Sequence, residues 1–214
     1  MSETGTNPYY SKSRPELAEQ SATDPGNVVL AVGCGTGQLS SLIRREGRAG
    51  QIWGVEVVEK VATQARANPD LDRVMSGDIS AIAAELPKGH FSHIVAGDVL
   101  EHLVDPWSTL ATLRRSLRTD GRIVASMPNI RNLSFIARLL LGGSFRYRDS
   151  GVMDRTHLRF FARKDIRALF AEAGFRNIKI RQARPKRSPL SRLAKLVFGD
   201  LAIKVFVVTA DNGG

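Results

Sequence analysis

The segment Gly33-Cys34-Gly35-Thr36-Gly37 follows an apolar run at 28–32 and precedes a stretch of helical spacing at 39–45. Glycines in such a loop let the backbone take positive φ and come close to a ligand. The helix start that follows offers free N–H groups and a partial positive charge. Glu56 closes the next strand-like run about 20 residues on, where a carboxylate can grip the hydroxyls of a ribose. Strand, loop, helix, strand and acid in this order describe a nucleoside-bearing cofactor on the carboxyl edge of a sheet. Two commoner nucleotide motifs fail. The third glycine of a dinucleotide fingerprint would fall on Gln38 or Ser40, and a P-loop needs a lysine where Gln38 follows Gly37.

A second group of chemistry-bearing residues is Asp98, Glu101 and His102, with His157 far along the chain. Asp98 ends a strand-like run, so Glu101 and His102 fall on the same carboxyl edge, where His102 could serve as a general base. His157 belongs to a later segment expected to fold over that edge. The competing reading is that Glu101 and His102 only brace the loop. His90 and His93 flank a strand and read as structural. Cys34 has no matched histidine and reads as a small loop residue rather than a nucleophile.

These residues need elements to hold them. Strand-like runs occur at 28–32, 51–56, 73–76, 91–96 and 122–126, and helical stretches at 39–45, 59–68, 79–86 and 106–117 alternate with them. That alternation implies a parallel sheet covered by helices on both faces. After Pro128 come a helical stretch at 133–141, a polar arginine-bearing loop at 142–156, and a helix at 164–173. Two further strands, at 177–180 and 202–209, bring the total to seven. We expect an N-terminal segment at 1–26, in which Tyr9 and Tyr10 could form a flap, one domain at 27–210 with an acceptor-side insert at about 127–162, and a tail at 211–214.

Lys plus Arg number 31 against 21 acids, a formal charge of +10 that favours anionic partners. One cysteine excludes an internal disulfide framework and a multi-cysteine zinc site. The opening residues have neither a basic n-region nor an apolar h-region, so a cytoplasmic setting is expected. Arg146, Arg148, Arg155 and Arg159 gather on the expected acceptor side and suit an anionic acceptor. The stretch from Arg184 to Phe198 is basic, then amphipathic. It could rest on an anionic membrane surface or pack as an ordinary helix beside the last strand.

At these motifs the sequence resembles the class I S-adenosylmethionine-dependent methyltransferases. The matching residues are Val-Leu-Ala-Val-Gly-Cys-Gly-Thr-Gly at 29–37, Gly54-Val55-Glu56, Gly77-Asp78-Ile79 and Asp98-Val99-Leu100-Glu101-His102. Ser126-Met127-Pro128-Asn129 and His157-Leu158-Arg159-Phe160-Phe161 are similar to a large bacterial branch associated with small molecules and surface polysaccharides. The resemblance covers about 9–181. It implies a Rossmann-like, doubly wound, mostly parallel seven-stranded sheet and S-adenosylmethionine as cofactor. It further implies that Gly33, Cys34, Gly35 and Gly37 line the methionine part, Glu56 holds the ribose and Val57 touches adenine. Asp78 and Ile79 would contact adenine, and Asp98 would face the sulfonium. His102, His157 and Glu101 become the catalytic candidates. One departure stands out: Ala31 occupies a position where the family usually has an acid that fixes the charged methionine end.

The implied activity is O-methylation of a small-molecule, sugar or lipid-linked acceptor. The alternative is a non-catalytic protein that binds nucleic acid or a membrane surface on a degenerate methyltransferase scaffold, a reading raised by Ala31 and the charge. No appended RNA-binding module is recognisable, so nucleic acid is not the expected partner. No metal ligands are assigned. Asp98, Glu101, His102 and His157 do offer oxygen and nitrogen donors in a pattern that resembles the metal site of small-RNA 2′-O-methyltransferases and some quinone O-methyltransferases. The sequence does not set the oligomeric state.

Overall fold

The computed structural model describes residues 13–183 and 188–213. The Tyr9-Tyr10 flap and the basic stretch at 184–187 lie outside the described residues. Seven strands form one sheet in the order β3-β2-β1-β4-β5-β7-β6. They are β1 Val28–Val32, β2 Gln51–Glu56, β3 Arg73–Ser76, β4 Phe91–Gly97, β5 Leu117–Pro128, β6 Phe175–Gln182 and β7 Val205–Asn212. The first five run parallel, and β7 is antiparallel to both neighbours, β5 and β6. This is the α/β class expected from the alternation.

β1 is buried along its whole length. Val28, Leu30 and Val32 face one core with Ile94, Phe91 and Ile123. Val29 and Ala31 face the other with Ile43, Ile52 and Val95. Period-two alternation between two apolar layers explains why this strand reads as a continuous hydrophobic run. The helices α1 Pro15–Ala18, α2 Gln38–Arg45, α3 Glu59–Arg66, α4 Ile79–Ile82 and α5 Pro106–Ser116 precede, connect or flank the parallel strands. α6 Leu133–Gly142, α7 Arg163–Glu172 and α8 Pro189–Phe198 follow.

Several boundaries differ from the sequence expectation, each for a local reason. The helix expected at 79–86 is α4 followed by a 3₁₀ turn at Ala83–Glu85, because Pro87 lies directly ahead. The strand expected at 122–126 begins at Leu117. The Asp120-Gly121 pair, a turn signal in the sequence, sits within a register shift between Phe91 and His93. The last strand is shifted to Val205–Asn212, since a 3₁₀ turn occupies Gly199–Ala202. Asp211 and Asn212, expected in a tail, instead pair in the sheet, opposite Arg176 and Phe175. Asn212 also donates to the carbonyl oxygens of Leu117 and Arg118.

Candidate active site

The carboxyl ends of β1, β2 and β4 surround a cavity of about 740 Å³, within the size range of cofactor sites. The glycine loop forms part of its wall. Gly33, Gly35 and Gly37 have φ of +64°, +56° and +89°, values that L residues adopt at a cost. A Cβ on Gly33 would lie 2.7 Å from Cγ2 of Val99. The loop is tied to β2 by a hydrogen bond from Cys34 N–H to the Val55 carbonyl, 3.0 Å.

Glu56 is buried and locks the same junction. Its Oε2 accepts from Gly35 N–H at 2.9 Å and its Oε1 from Val58 N–H at 3.1 Å. Each carboxylate oxygen keeps acceptor capacity for a ligand hydroxyl. Cys34 sits behind the loop, where a Cβ on Gly54 would meet its sulfur at 2.7 Å. Burial first, then the nearby Glu56 charge, pushes its thiol up to about 12. At that value it is an inert small side chain.

Gly33, Cys34, Gly35, Glu56, Val57, Asp78, Ile79 and Asp98 all line the cavity. Gly37 does not. It stands back as the N-cap of α2, with Asn68 packed where its Cβ would be. Asp78 caps α4, its Oδ1 accepting from Ser80 N–H at 2.8 Å. Ala31 lines the cavity as well, so the side chain missing there faces the ligand space.

Sequence reasoning missed Arg14. Its Nη2 donates to Asp98 Oδ2 at 2.5 Å inside the cavity. Ser126 completes the group: its hydroxyl donates to Asp98 Oδ1 at 2.6 Å and accepts from Asp98 N–H at 3.0 Å and Arg14 Nη1 at 3.3 Å. Arg14 and Asp98 both adopt left-handed backbone, with φ of +43° and +54°. Such strain in non-glycine residues persists where the surroundings fix it and concentrates at functional sites. Ser13-Arg14-Pro15 signals only a helix start, and nothing in its spacing points to Asp98.

His102 lines the cavity, whereas Glu101 and His157 are sealed behind it. Of the three catalytic candidates only His102 therefore reaches the cavity, and Glu101 and His157 stand behind it. The segment after Thr156 closes over Glu101, whose carbonyl accepts from Leu158 N–H at 2.9 Å and Arg159 N–H at 3.0 Å. His102 Nδ1 is 3.0 Å from the Thr156 carbonyl, and His157 Nδ1 is 3.0 Å from that of Val152. A carbonyl only accepts, so each Nδ1 carries its proton and Nε2 is the basic nitrogen. Burial is the main influence lowering the His102 pKa, which favours the neutral ring.

Glu101 is 1% exposed, and neither carboxylate oxygen has a hydrogen-bond partner among the described residues. Burial, reinforced by the Asp98 charge, raises its pKa well above the carboxylate range. His157 Nε2 lies 4.0 Å from Glu101 Oε1. One donor atom each from Glu101, His102 and His157 lie within 4.8 Å of one another. Asp98, the fourth donor considered, is not in that group; its two oxygens are taken by Arg14 and Ser126.

A family model described as a methyltransferase domain matches residues 6–180. The chain belongs to the methyltransferase-domain family. The malonyl-[acyl-carrier protein] O-methyltransferase of Geobacter sulfurreducens is 32% identical over 71% of this chain and 57% of that protein. The ubiquinone biosynthesis O-methyltransferase of Xanthomonas campestris pv. campestris is 31% identical over 58% of this chain and 56% of that protein. The chain thus spans a little over half the length of these relatives. A SAM-dependent methyltransferase structure from Archaeoglobus fulgidus has the same fold, with a TM-score of 0.67, 18% identity and 92% of each chain covered.

The cofactor of this methyltransferase family is S-adenosylmethionine. The chain's residues suit it: the cavity has a close-approach glycine loop, a buried acid at the β2 end, and an acid–arginine pair beside β4.

Proposed function

We propose that the protein transfers a methyl group from S-adenosylmethionine to an oxygen of a small-molecule, sugar or lipid-linked acceptor. The observation that carries this reading is the buried Glu56 tied to the glycine loop on the edge of a cavity that also exposes His102. When bound, the cofactor supplies an electrophilic methyl on a sulfonium. The chain supplies position and a base. Glu56 accepts from the ribose hydroxyls, while Val57, Asp78 and Ile79 border the adenine. Asp98 would accept from the methionine ammonium, and Arg14 beside it would face the methionine carboxylate. His102 Nε2 takes the proton of the acceptor hydroxyl, with Nδ1 held on the Thr156 carbonyl. His157 packs edge-on against the His102 ring, centroids 4.8 Å apart, and is a positioning residue in this scheme.

The unpartnered Glu101 carboxylate supports a second version of the same chemistry. A divalent cation would be held by Glu101, His102 and His157, and it would acidify an acceptor hydroxyl. Both histidines already donate Nδ1–H to carbonyls, the arrangement common behind metal-ligating imidazoles. Of the segment 142–156, Asp149, Ser150 and Asp154 line the cavity and Arg146, Arg148 and Arg155 do not, so the anionic acceptor expected from the arginines has no support in the lining. Incubating a cell extract and the purified chain with deuteromethyl-labelled cofactor should yield a product that carries the label on oxygen. An extract that yields only N- or C-methylated products refutes the oxygen assignment.

A further inference from the structure

We propose that the corner of the molecule formed by α6 and α8 docks on an anionic lipid bilayer. Both helices lie at the carboxyl edge of the sheet, the edge that holds the cavity. α6 leaves from the end of β5, and α8 leads through a 3₁₀ turn into the start of β7. Asn129 and Asn132 tie the start of α6 to the turn that follows α8. Asn129 Nδ2 donates to the carbonyls of Asp200 at 2.9 Å and Ile203 at 2.8 Å, and Asn132 Nδ2 to that of Leu201 at 3.4 Å.

The exposed apolar surface at this corner is larger than single scattered residues. On α6, Leu140 is 75% exposed and Leu141 89%. On α8, Leu196 is 83% exposed, and Leu193, Val197 and Phe198 are exposed beside it. These side chains are open whether or not the rest of α8 packs as an ordinary helix beside the last strand. Exposed apolar side chains grouped on one helix mark an interaction site, and each of these two helices carries such a group.

Charge selects the partner. Residues 130–148 contain Arg131, Arg138, Arg146 and Arg148 and no acid. α8 contains Arg192 and Lys195 and again no acid. Leucines interleaved with cations match a bilayer surface carrying anionic headgroups, where apolar side chains enter the interface and cations stay with phosphates. No helix among the described residues is long and apolar enough to cross a membrane, so the contact is peripheral.

An aromatic path leads inward from this corner. Phe145 packs edge-on against Phe135 of α6 and against Phe160, and Phe160 lies 6.4 Å from His157, ring to ring. An acceptor with an apolar tail held in the bilayer would meet this path on its way to His102. That link to substrate rests on the transfer reading above; the docking itself does not.

The test is co-sedimentation of the full chain with vesicles of phosphatidylcholine alone and of phosphatidylcholine mixed with phosphatidylglycerol. Binding is expected only to the mixed vesicles, weakened by salt. Leu140→Glu and Leu196→Glu should each weaken it roughly tenfold or more, and Arg138→Gln should weaken it less. Calorimetry with S-adenosylhomocysteine reports the cofactor site separately and should give equal affinities for the wild type and the surface variants. Since charged replacements could disturb a helix, Leu140→Ser and Leu196→Ser with unchanged melting temperature provide the second pair. Failure of the wild type to sediment, or equal binding to both vesicle types, overturns the proposal. So does a dimer in solution that Leu196→Ser dissociates, which would make this corner an interface between two copies.

Discussion

Ala31 lines the cavity together with Asp98 and Arg14, one anion and one cation 2.5 Å apart. In the proposed binding mode that pair would face the ammonium and carboxylate of the methionine end, in place of the acid the family resemblance implies at Ala31. A hydrogen bond to a charged group contributes about 1.5–3 kcal/mol. Asp98→Asn and Arg14→Gln are therefore each expected to weaken S-adenosylhomocysteine binding by roughly ten- to a hundredfold. Neither should alter binding of 5′-methylthioadenosine, which lacks the amino-acid end. Calorimetry with both ligands checks this, and equal loss for the two contradicts the role. Glu56, Asp78 and Asp98 were legible in the sequence because each ends or follows a strand, where topology alone sets position. Arg14 was not, because its contact with Asp98 depends on how a short N-terminal helix lies across the finished sheet. The separation of Glu101 from the cavity was also hidden. Its neighbour in sequence, His102, faces the ligand, and only the fold of 156–159 decides which of the two is sealed.

At the scale of elements, the β1–α2 loop holds its shape through positive φ. Gly33→Ala meets both an unfavourable φ and the methyl of Val99. Gly47→Ala meets a similar φ of +66° with nothing within 4 Å. The expected loss of stability in thermal melts is about 1 kcal/mol for Gly47→Ala and about 2–3 kcal/mol for Gly33→Ala. Only the Gly33 variant should lose cofactor binding; equal effects would mean the loop is not closely packed. β4 carries a pH-sensitive element. Burial, then the charge of Arg122, lowers the His93 pKa from 6.5 to about 4. The folded state thus binds the proton less readily than the unfolded chain. This contribution is fully present above pH 6.5 and is lost as pH falls through about 4, with a size on the order of 3 kcal/mol. Urea unfolding across that window should show the slope, and His93→Asn should flatten it; an unchanged slope contradicts the assignment. β1 and β4 were readable because each is buried on both faces. β5 and β7 were read too short or out of place, because Asp120-Gly121 looks like a turn and yet lies within a strand.

For the whole molecule, two buried layers on one sheet fix the carboxyl edge as the place where ligands meet, and every site residue discussed lies near that edge. The formal charge of +10 states a preference for anions but not its location; the docking proposal assigns part of it to α6 and α8. The order of strands and helices was legible because periodicity and turn residues agree along most of the chain. The exposure of α8 was not, since an amphipathic pattern describes a helix equally well whether its apolar side is buried or open. The most direct measurement is titration calorimetry of the purified chain with S-adenosylhomocysteine, supported by thermal shift. Saturable one-to-one binding is expected, with Glu56→Ala abolishing it while the fold is retained. No heat, no shift and no saturation with this ligand or S-adenosylmethionine would contradict the assignment.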